Sequence, residues 1–176
     1  WRWLPRDLGR RHVIVNQAAF ELRVMEGGEE TWRTDVVVGK PSTQTFLFHD
    51  EMETVVFNPS WGIPQSIMRN EYLPRLRRDP SYLDRKGYKV VNAKGKVVSS
   101  SSISWSKLKA GAVSIQQPPS AWNALGKVKF LFPNAHAFYM HDTPQKHLFK
   151  QSVRAFSHGC IRVLNPDIFA EVILGW

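Results

Sequence analysis

The segment Ser157-His158-Gly159-Cys160 sets the chain's single thiol directly after a glycine. The attacking form of cysteine is the thiolate, and an ordinary thiol with a pKa of about 8.5 is largely protonated near neutral pH, so a nucleophilic role requires a base. Glycine lets the backbone approach a substrate carbonyl closely, where backbone N–H groups can receive the charge that develops on its oxygen. Two histidines are near enough in sequence to serve: His158, two positions before the thiol, and His141, at the end of Phe138-Tyr139-Met140. Spacing leaves both open. If 158–162 is extended, His158 and Cys160 project from one face but in parallel, whereas a histidine on a neighbouring strand can meet the sulfur head-on.

His12, His49, His136 and His147 have no comparable partner pattern. One cysteine excludes an internal disulfide and any zinc site built on several thiolates. The thiol is then either a small buried hydrophobe or a reactive group, and its neighbours favour the second.

The elements that must position these residues read mostly as strands. His12-Val13-Ile14-Val15, Phe20 to Val24 and Trp32 to Val38 alternate apolar and polar residues and predict two hairpins, turning at Asn16-Gln17 and at Glu26-Gly27-Gly28-Glu29. Glu53 to Phe57 is a further strand, closed by Asn58-Pro59. Between about 63 and 110 helical spacing takes over at Ile67, Tyr72, Leu73, Leu76 and Leu83, broken by prolines at 64, 74 and 80, which predicts an insertion of short helices with a loop at Ser99 to Ser102. The sheet is expected to resume with Val113 to Gln116, Val128 to Phe132 and Ala137 to Met140. A last helix is expected from Asn165 as N-cap and Pro166 at the first position, with Ile168, Phe169, Val172 and Ile173 on one face.

With 176 residues, 43% of them hydrophobic, the chain can form one domain with a substantial core. It has no apolar run of the roughly 18 residues that a spanning helix needs. It opens on Trp1 and closes on Val172-Ile173-Leu174-Gly175-Trp176, so both ends are expected to be cuts in a longer protein, with any export signal, membrane anchor or flanking domain outside it. A net charge of +9 attracts anions, whether nucleic acid, lipid or an acidic cell-wall polymer. The densest basic stretch, Arg75-Leu76-Arg77-Arg78, is followed at once by Asp79 and reads as a solvated helix face. No RNA-recognition, zinc-finger or helix-turn-helix pattern accompanies the charge, so nucleic acid is not the expected partner.

His141-Asp142-Thr143-Pro144, followed after the spacer Asp142 to Phe156 by Ser157-His158-Gly159-Cys160-Ile161-Arg162-Val163, resembles the signature of the L,D-transpeptidases with a YkuD-type catalytic domain. Trp1-Arg2-Trp3-Leu4-Pro5, Val36 to Pro41, Phe57-Asn58-Pro59-Ser60-Trp61 and Asn123 to Phe130 resemble the larger Gram-negative members, so the likeness runs through essentially all of residues 1–176. It implies a mainly β fold of sandwich-like mixed sheets, with the insertion at about 63–110 as a helical lid over the active site and a C-terminal helix.

By the same resemblance Cys160 is the nucleophile and His141 its base, oriented by the backbone carbonyl of Asp142, while His158 and Gly159 help form the oxyanion environment. Arg162 holds the site or pairs with a substrate carboxylate. Tyr139, Ser157, Trp61 and Trp122 are candidate substrate contacts. The implied reaction transfers the acyl group of a peptidoglycan tetrapeptide stem through a Cys160 thioester to the amine of a second stem, giving a 3→3 cross-link. Neither metal nor cofactor is needed. Carbapenem-type β-lactams are implied as covalent inhibitors, and the periplasm as the location, with a membrane reached only through an anchor outside this chain. The alternatives are an L,D-carboxypeptidase or endopeptidase, in which water replaces the amine, and, in another class, a non-catalytic peptidoglycan-binding module.

Overall fold

The structure, a computed structural model, describes residues 5–109 and 111–175; Trp1-Arg2-Trp3-Leu4 of the family-like opening lies outside them. The chain folds as two compact units, one made of everything up to Asn58 together with everything from Leu125 onward, the other of Pro59–Ala124. The first opens with β1 (Arg11–Asn16), β2 (Glu21–Glu26), β3 (Glu29–Gly39) and β4 (Thr54–Phe57). The second holds β5 (Trp61–Gly62), α1 (Gln65–Ile67), α2 (Leu73–Leu76), α3 (Tyr82–Arg85), β6 (Lys89–Asn92), β7 (Val97–Val98) and β8 (Val113–Gln117). The first then resumes with β9 (Val128–Leu131), β10 (Met140–His141), β11 (Ala155–Ser157), β12 (Ile161–Val163) and α4 (Pro166–Leu174). Mixed sheets with short helices, mainly β, are what the sequence led us to expect.

In the first unit the strands run β1-β2-β3-β12-β10-β9-β4, with β11 also on β3. The two hairpins form where the alternation places them, and Gly27 and Gly28 supply positive φ of 60° and 90° at the tighter turn. Pairing between β10 and β12 is parallel, Met140 with Ile161 and His141 with Arg162, while β9 pairs with β10 antiparallel, Phe130 with Met140 and Lys129 with His141. Alternation then sorts the side chains. Val128, Phe130, Met140, Ile161 and Val163 enter the core, and Lys129, His141 and Arg162 lie on the opposite face.

The core face is covered by α4. Phe169 is fully buried, 4.7 Å from the Phe130 ring and 5.7 Å from that of Trp32. The expected cap is not made. Asn165 precedes the helix without a side-chain cap bond, and its amide instead reaches Thr34 Oγ1 at 3.5 Å. Ile168, expected on the buried face, is 44% exposed, since one residue before Phe169 lies about 100° away around the helix.

Four further expectations differ from the structure. Strand β10 spans only two residues, because Asn134 ties down the preceding loop: its Oδ1 accepts from the N–H groups of His136 and Phe138, its Nδ2 donates to Phe132 and Phe138, and Ala137 takes φ 55°. Val113–Gln117 does not resume the main sheet but belongs to a separate four-stranded sheet, β5-β8-β6-β7. The insertion expected at about 63–110 as helical is therefore the unit 59–124, in which short helices share a core with that sheet through Leu76, Leu83, Val90, Ile115 and Trp105. The Ser99 to Ser102 run is no plain loop: Ser100–Ser102 form a 3-10 turn whose Ser100 and Ser101 N–H groups donate to Asp84.

No helix among the described residues is long and apolar enough to cross a membrane. Replacing Phe169 by Ala is expected to cost about 3–5 kcal/mol, the range for deleting a fully buried aromatic, whereas the exposed Ile168→Ala stays within about 0.5 kcal/mol. Urea unfolding of the two variants measures the contrast.

Candidate active site

The thiol's position follows from how the chain passes the end of β3. The Val36 N–H donates to Phe20, the Val38 N–H to Arg154 and the Lys40 N–H to Ser157, whereas the Leu164 N–H donates to Asp35. Alternate N–H groups of a strand leave the same edge. Residues 154–157 therefore occupy the β2 edge of β3 and β12 the other, so 157–160 crosses over the strand's end. At Gly39 a side chain would sit 2.2 Å from the Thr43 carbonyl oxygen, which leaves room only for glycine.

That crossing is fastened from within and without. Ser157 Oγ donates to the Cys160 carbonyl at 2.5 Å and accepts the Gly159 N–H at 3.1 Å. Thr43 Oγ1 donates to the Ser157 carbonyl at 3.0 Å, and Thr45 Oγ1 to that of Gly159 at 2.7 Å. Gly159 takes φ +116°, and a Cβ there would meet the Phe138 ring at 2.3 Å. Both facts demand glycine.

Parallel pairing of β10 with β12, continued by the bond from the Ile161 N–H to the Tyr139 carbonyl, sets Cys160 beside Tyr139. The partly buried thiol is hydrogen-bonded to the Tyr139 main chain and side chain. Two residues beyond Tyr139 on the same face stands His141, only 5% exposed, its ring 5.6 Å from that of Tyr139. His141 Nδ1 is hydrogen-bonded to the Asp142 carbonyl, which fixes the proton on Nδ1 and leaves Nε2 as the basic nitrogen. The Asp142 carboxylate points elsewhere. It accepts the Lys127 N–H at 2.8 Å and Lys146 Nζ at 2.6 Å, and it fills the space a Cβ on Gly126 would need.

Both groups are pushed toward their uncharged forms. Burial, with the positive charges of Arg162 and Lys129, presses the His141 imidazole down to about 3, against the opposing pull of Asp142. Burial raises the Cys160 thiol above its ordinary value, outweighing the Tyr139 hydrogen bonds and the charges of Lys129 and Arg162. The site holds a thiol and a neutral imidazole, with two cations beside them that favour any anion forming there.

A family model described as the L,D-transpeptidase catalytic domain, YkuD, matches residues 10–170. The chain belongs to this family. As an L,D-transpeptidase catalytic domain it is an enzyme. It is 32% identical over 167 residues to a Haemophilus influenzae protein provisionally named an L,D-transpeptidase, with 93% of this chain covered but only 34% of that protein. A solved L,D-transpeptidase in complex with imipenem shares the fold at TM-score 0.50 and 12% identity, over 94% of this chain and 54% of the other. The chain thus spans about a third of the Haemophilus influenzae protein and about half of the solved one.

Of the residues singled out in the sequence, Cys160, Tyr139, His141, the Asp142 carbonyl, Gly159 and Arg162 meet at the junction of β10 and β12. His158 is exposed beside them. Ser157 is 2% exposed with its hydroxyl turned to the chain, so it braces the turn that carries Cys160. The Gly159 N–H is likewise engaged by Ser157. Trp61 and Trp122 belong to the second unit, Trp61 packed on that unit's core and Trp122 81% exposed. Lys129, Gln145, Thr43 and Thr45 were not singled out. Lys129 is the polar member of the alternating Val128-Lys129-Phe130, and only the strand register reveals its pairing with His141.

Three outcomes follow from this geometry. Iodoacetamide alkylation of Cys160 should rise with pH through and beyond the ordinary thiol range, without the plateau at pH 5–7 that a resting thiolate–imidazolium pair would give. Because the folded state holds His141 far below its unfolded value of about 6.5, it contributes stability that is complete above pH 6.5 and lost as pH falls toward 3, at up to about 1.4 kcal/mol per pH unit; urea unfolding at pH 7 and 4.5 should show that slope reduced in His141→Gln. Asp142→Asn should lower the melting temperature by several degrees while the rate of Cys160 acylation, followed by intact mass, stays within about threefold.

Proposed function

We propose that this domain is a cysteine-dependent L,D-transpeptidase that forms 3→3 cross-links between peptidoglycan tetrapeptide stems through a Cys160 thioester. The observation that carries the reading is the shared face of β10 and the start of β12, with the thiol and an imidazole whose Nδ1 is held by a backbone carbonyl. His141 Nε2 takes the thiol proton as Sγ attacks the carbonyl between the L-centre of diaminopimelate and the terminal D-Ala. The tetrahedral oxyanion forms near the cations Lys129 and Arg162 and the backbone around Gly159 and His158. Imidazolium then protonates the leaving nitrogen, D-Ala departs, and a thioester remains. The side-chain amine of a second stem attacks it, His141 accepts the amine's proton, and the thiol is restored.

A neutral resting pair suits this sequence, because the base is free to take a proton and charge separates only as the bond forms. Arg162 pairs with a substrate carboxylate, a task its planar fork suits. Tyr139 lines the cleft, and Trp61 and Trp122 are candidate substrate contacts on their own unit. The unit 59–124 corresponds to the insertion of the larger Gram-negative subgroup. The periplasm is the setting. Carbapenems acylate Cys160 in the manner of a donor, a reading helped by the imipenem complex of the fold's solved relative. Thiolate acyl transfer needs neither metal nor cofactor.

Incubation with purified tetrapeptide muropeptides, products identified by mass, decides among the readings. Cross-linked dimer with release of D-Ala is the expected result. Free tripeptide alone would indicate an L,D-carboxypeptidase, and binding without turnover a non-catalytic module. Cys160→Ala should abolish product; unchanged turnover in that variant would overturn the mechanism.

A further inference from the structure

Lys129 and Arg162 flank His141 at one level of the sheet, Lys129 as its partner on β9 and Arg162 as its partner on β12. Directly paired residues on adjacent strands project from the same face, so the imidazole stands in a row between two cations. Lys129 Nζ lies 4.0 Å above the ring of Tyr139, the residue hydrogen-bonded to the thiol. Arg162 Nη1 donates to Gln145 Oε1 at 2.6 Å, and its Nε is buried with no hydrogen-bond partner.

Neither cation has a carboxylate within salt-bridge distance among the described residues, although Lys146 nearby is paired with Asp142 and Arg154 with Asp35. Partly buried like charges without a counter-ion are unfavourable, and both side chains are pulled toward their neutral forms by desolvation. An anion bound between them would relieve that penalty and satisfy the orphaned Nε. The Asp142 carboxylate cannot supply it, being held by Lys127 and Lys146.

We propose that Lys129 and Arg162 together form a carboxylate seat beside Cys160 that receives the terminal carboxylate of the acyl donor. The identity of the ligand rests on the transpeptidase reading: the leaving D-Ala carries a carboxylate on the carbon next to its departing nitrogen, close to the carbonyl that Sγ attacks. Arg162 offers directional donors, and Lys129 a point charge whose ammonium is positioned by the Tyr139 ring.

The chain's single cysteine makes the test direct. Iodoacetate and iodoacetamide are both attacked by Sγ with loss of iodide, and only the first carries a carboxylate. At one pH both meet the same thiolate fraction, so the ratio of their rates isolates attraction of the carboxylate. For the wild-type chain the ratio should exceed that of 2-mercaptoethanol by about three- to tenfold, fall to the free-thiol value in Lys129→Met, and recover in Lys129→Arg. A wild-type ratio equal to that of the free thiol, or one unchanged in Lys129→Met, overturns the seat. With tetrapeptide donors, amidation of the terminal carboxylate should lower kcat/KM about tenfold in the wild type and have little effect in Lys129→Met; equal use of acid and amide by the wild type overturns the assignment of that carboxylate. If the alkylation preference holds while no stem peptide is acylated, the seat stands and the transpeptidase reading fails.

Discussion

Two residues on each of two short parallel strands, Met140 with Ile161 and His141 with Arg162, join the parts of this site, and that pairing exists because residues 157–160 cross the end of β3. Parallel pairing normally requires a crossover connection. Here the connection runs from β10 through the 3-10 turn Lys146–Lys150 and β11 before returning as β12. The crossing leaves no room for side chains at Gly39 and Gly159, and four side-chain to backbone bonds from Thr43, Thr45 and Ser157 hold it. Strand alternation does the rest. The residues whose neighbours build the core with Phe169 are the ones that turn Lys129, His141 and Arg162 to the reactive face.

The electrostatics follow from the same placement. A histidine in the middle strand of three, flanked by a lysine and an arginine and closed off from water, is disfavoured as imidazolium. Its second nitrogen is satisfied by the carbonyl of the next residue, so no carboxylate is needed to orient it. The Asp142 side chain is thereby released for another task, joining the turn at Gly126-Lys127 to the 3-10 segment through Lys146. Cations that discourage a proton on His141 also favour negative charge on sulfur or on a substrate oxygen, so one arrangement sets the resting state and the sites where charge can develop.

The sequence was legible where local chemistry is sufficient. The hairpins were readable from alternation and from Gly27-Gly28, and the candidate thiol from its place beside glycine and histidine. Spacing left His141 and His158 equally open, because strand neighbours cannot be deduced from it, and only the register shows His141 buried between Lys129 and Arg162. Local reading failed where a distant or unusual bond wins. Asn134 turns an apolar stretch into a loop, Asn165 forgoes its helix for Thr34, and Val113–Gln117 carries ordinary strand character that does not say which sheet it joins. Lys129, Thr43 and Thr45 had no local signal, since their importance lies in the register and in bonds to residues far along the chain.

The fold holds His141 buried, with Nδ1 bonded to the Asp142 carbonyl and its protonated form disfavoured. Nitrogen-15 NMR of the ring, assigned by comparison with His141→Gln, reads that state directly. The account predicts the neutral tautomer protonated on Nδ1 at pH 5, with no conversion to imidazolium until well below the ordinary histidine range. A fully protonated ring at pH 5–6 that returns to neutral when Cys160 is replaced by Ala would contradict it, because that behaviour belongs to a resting ion pair.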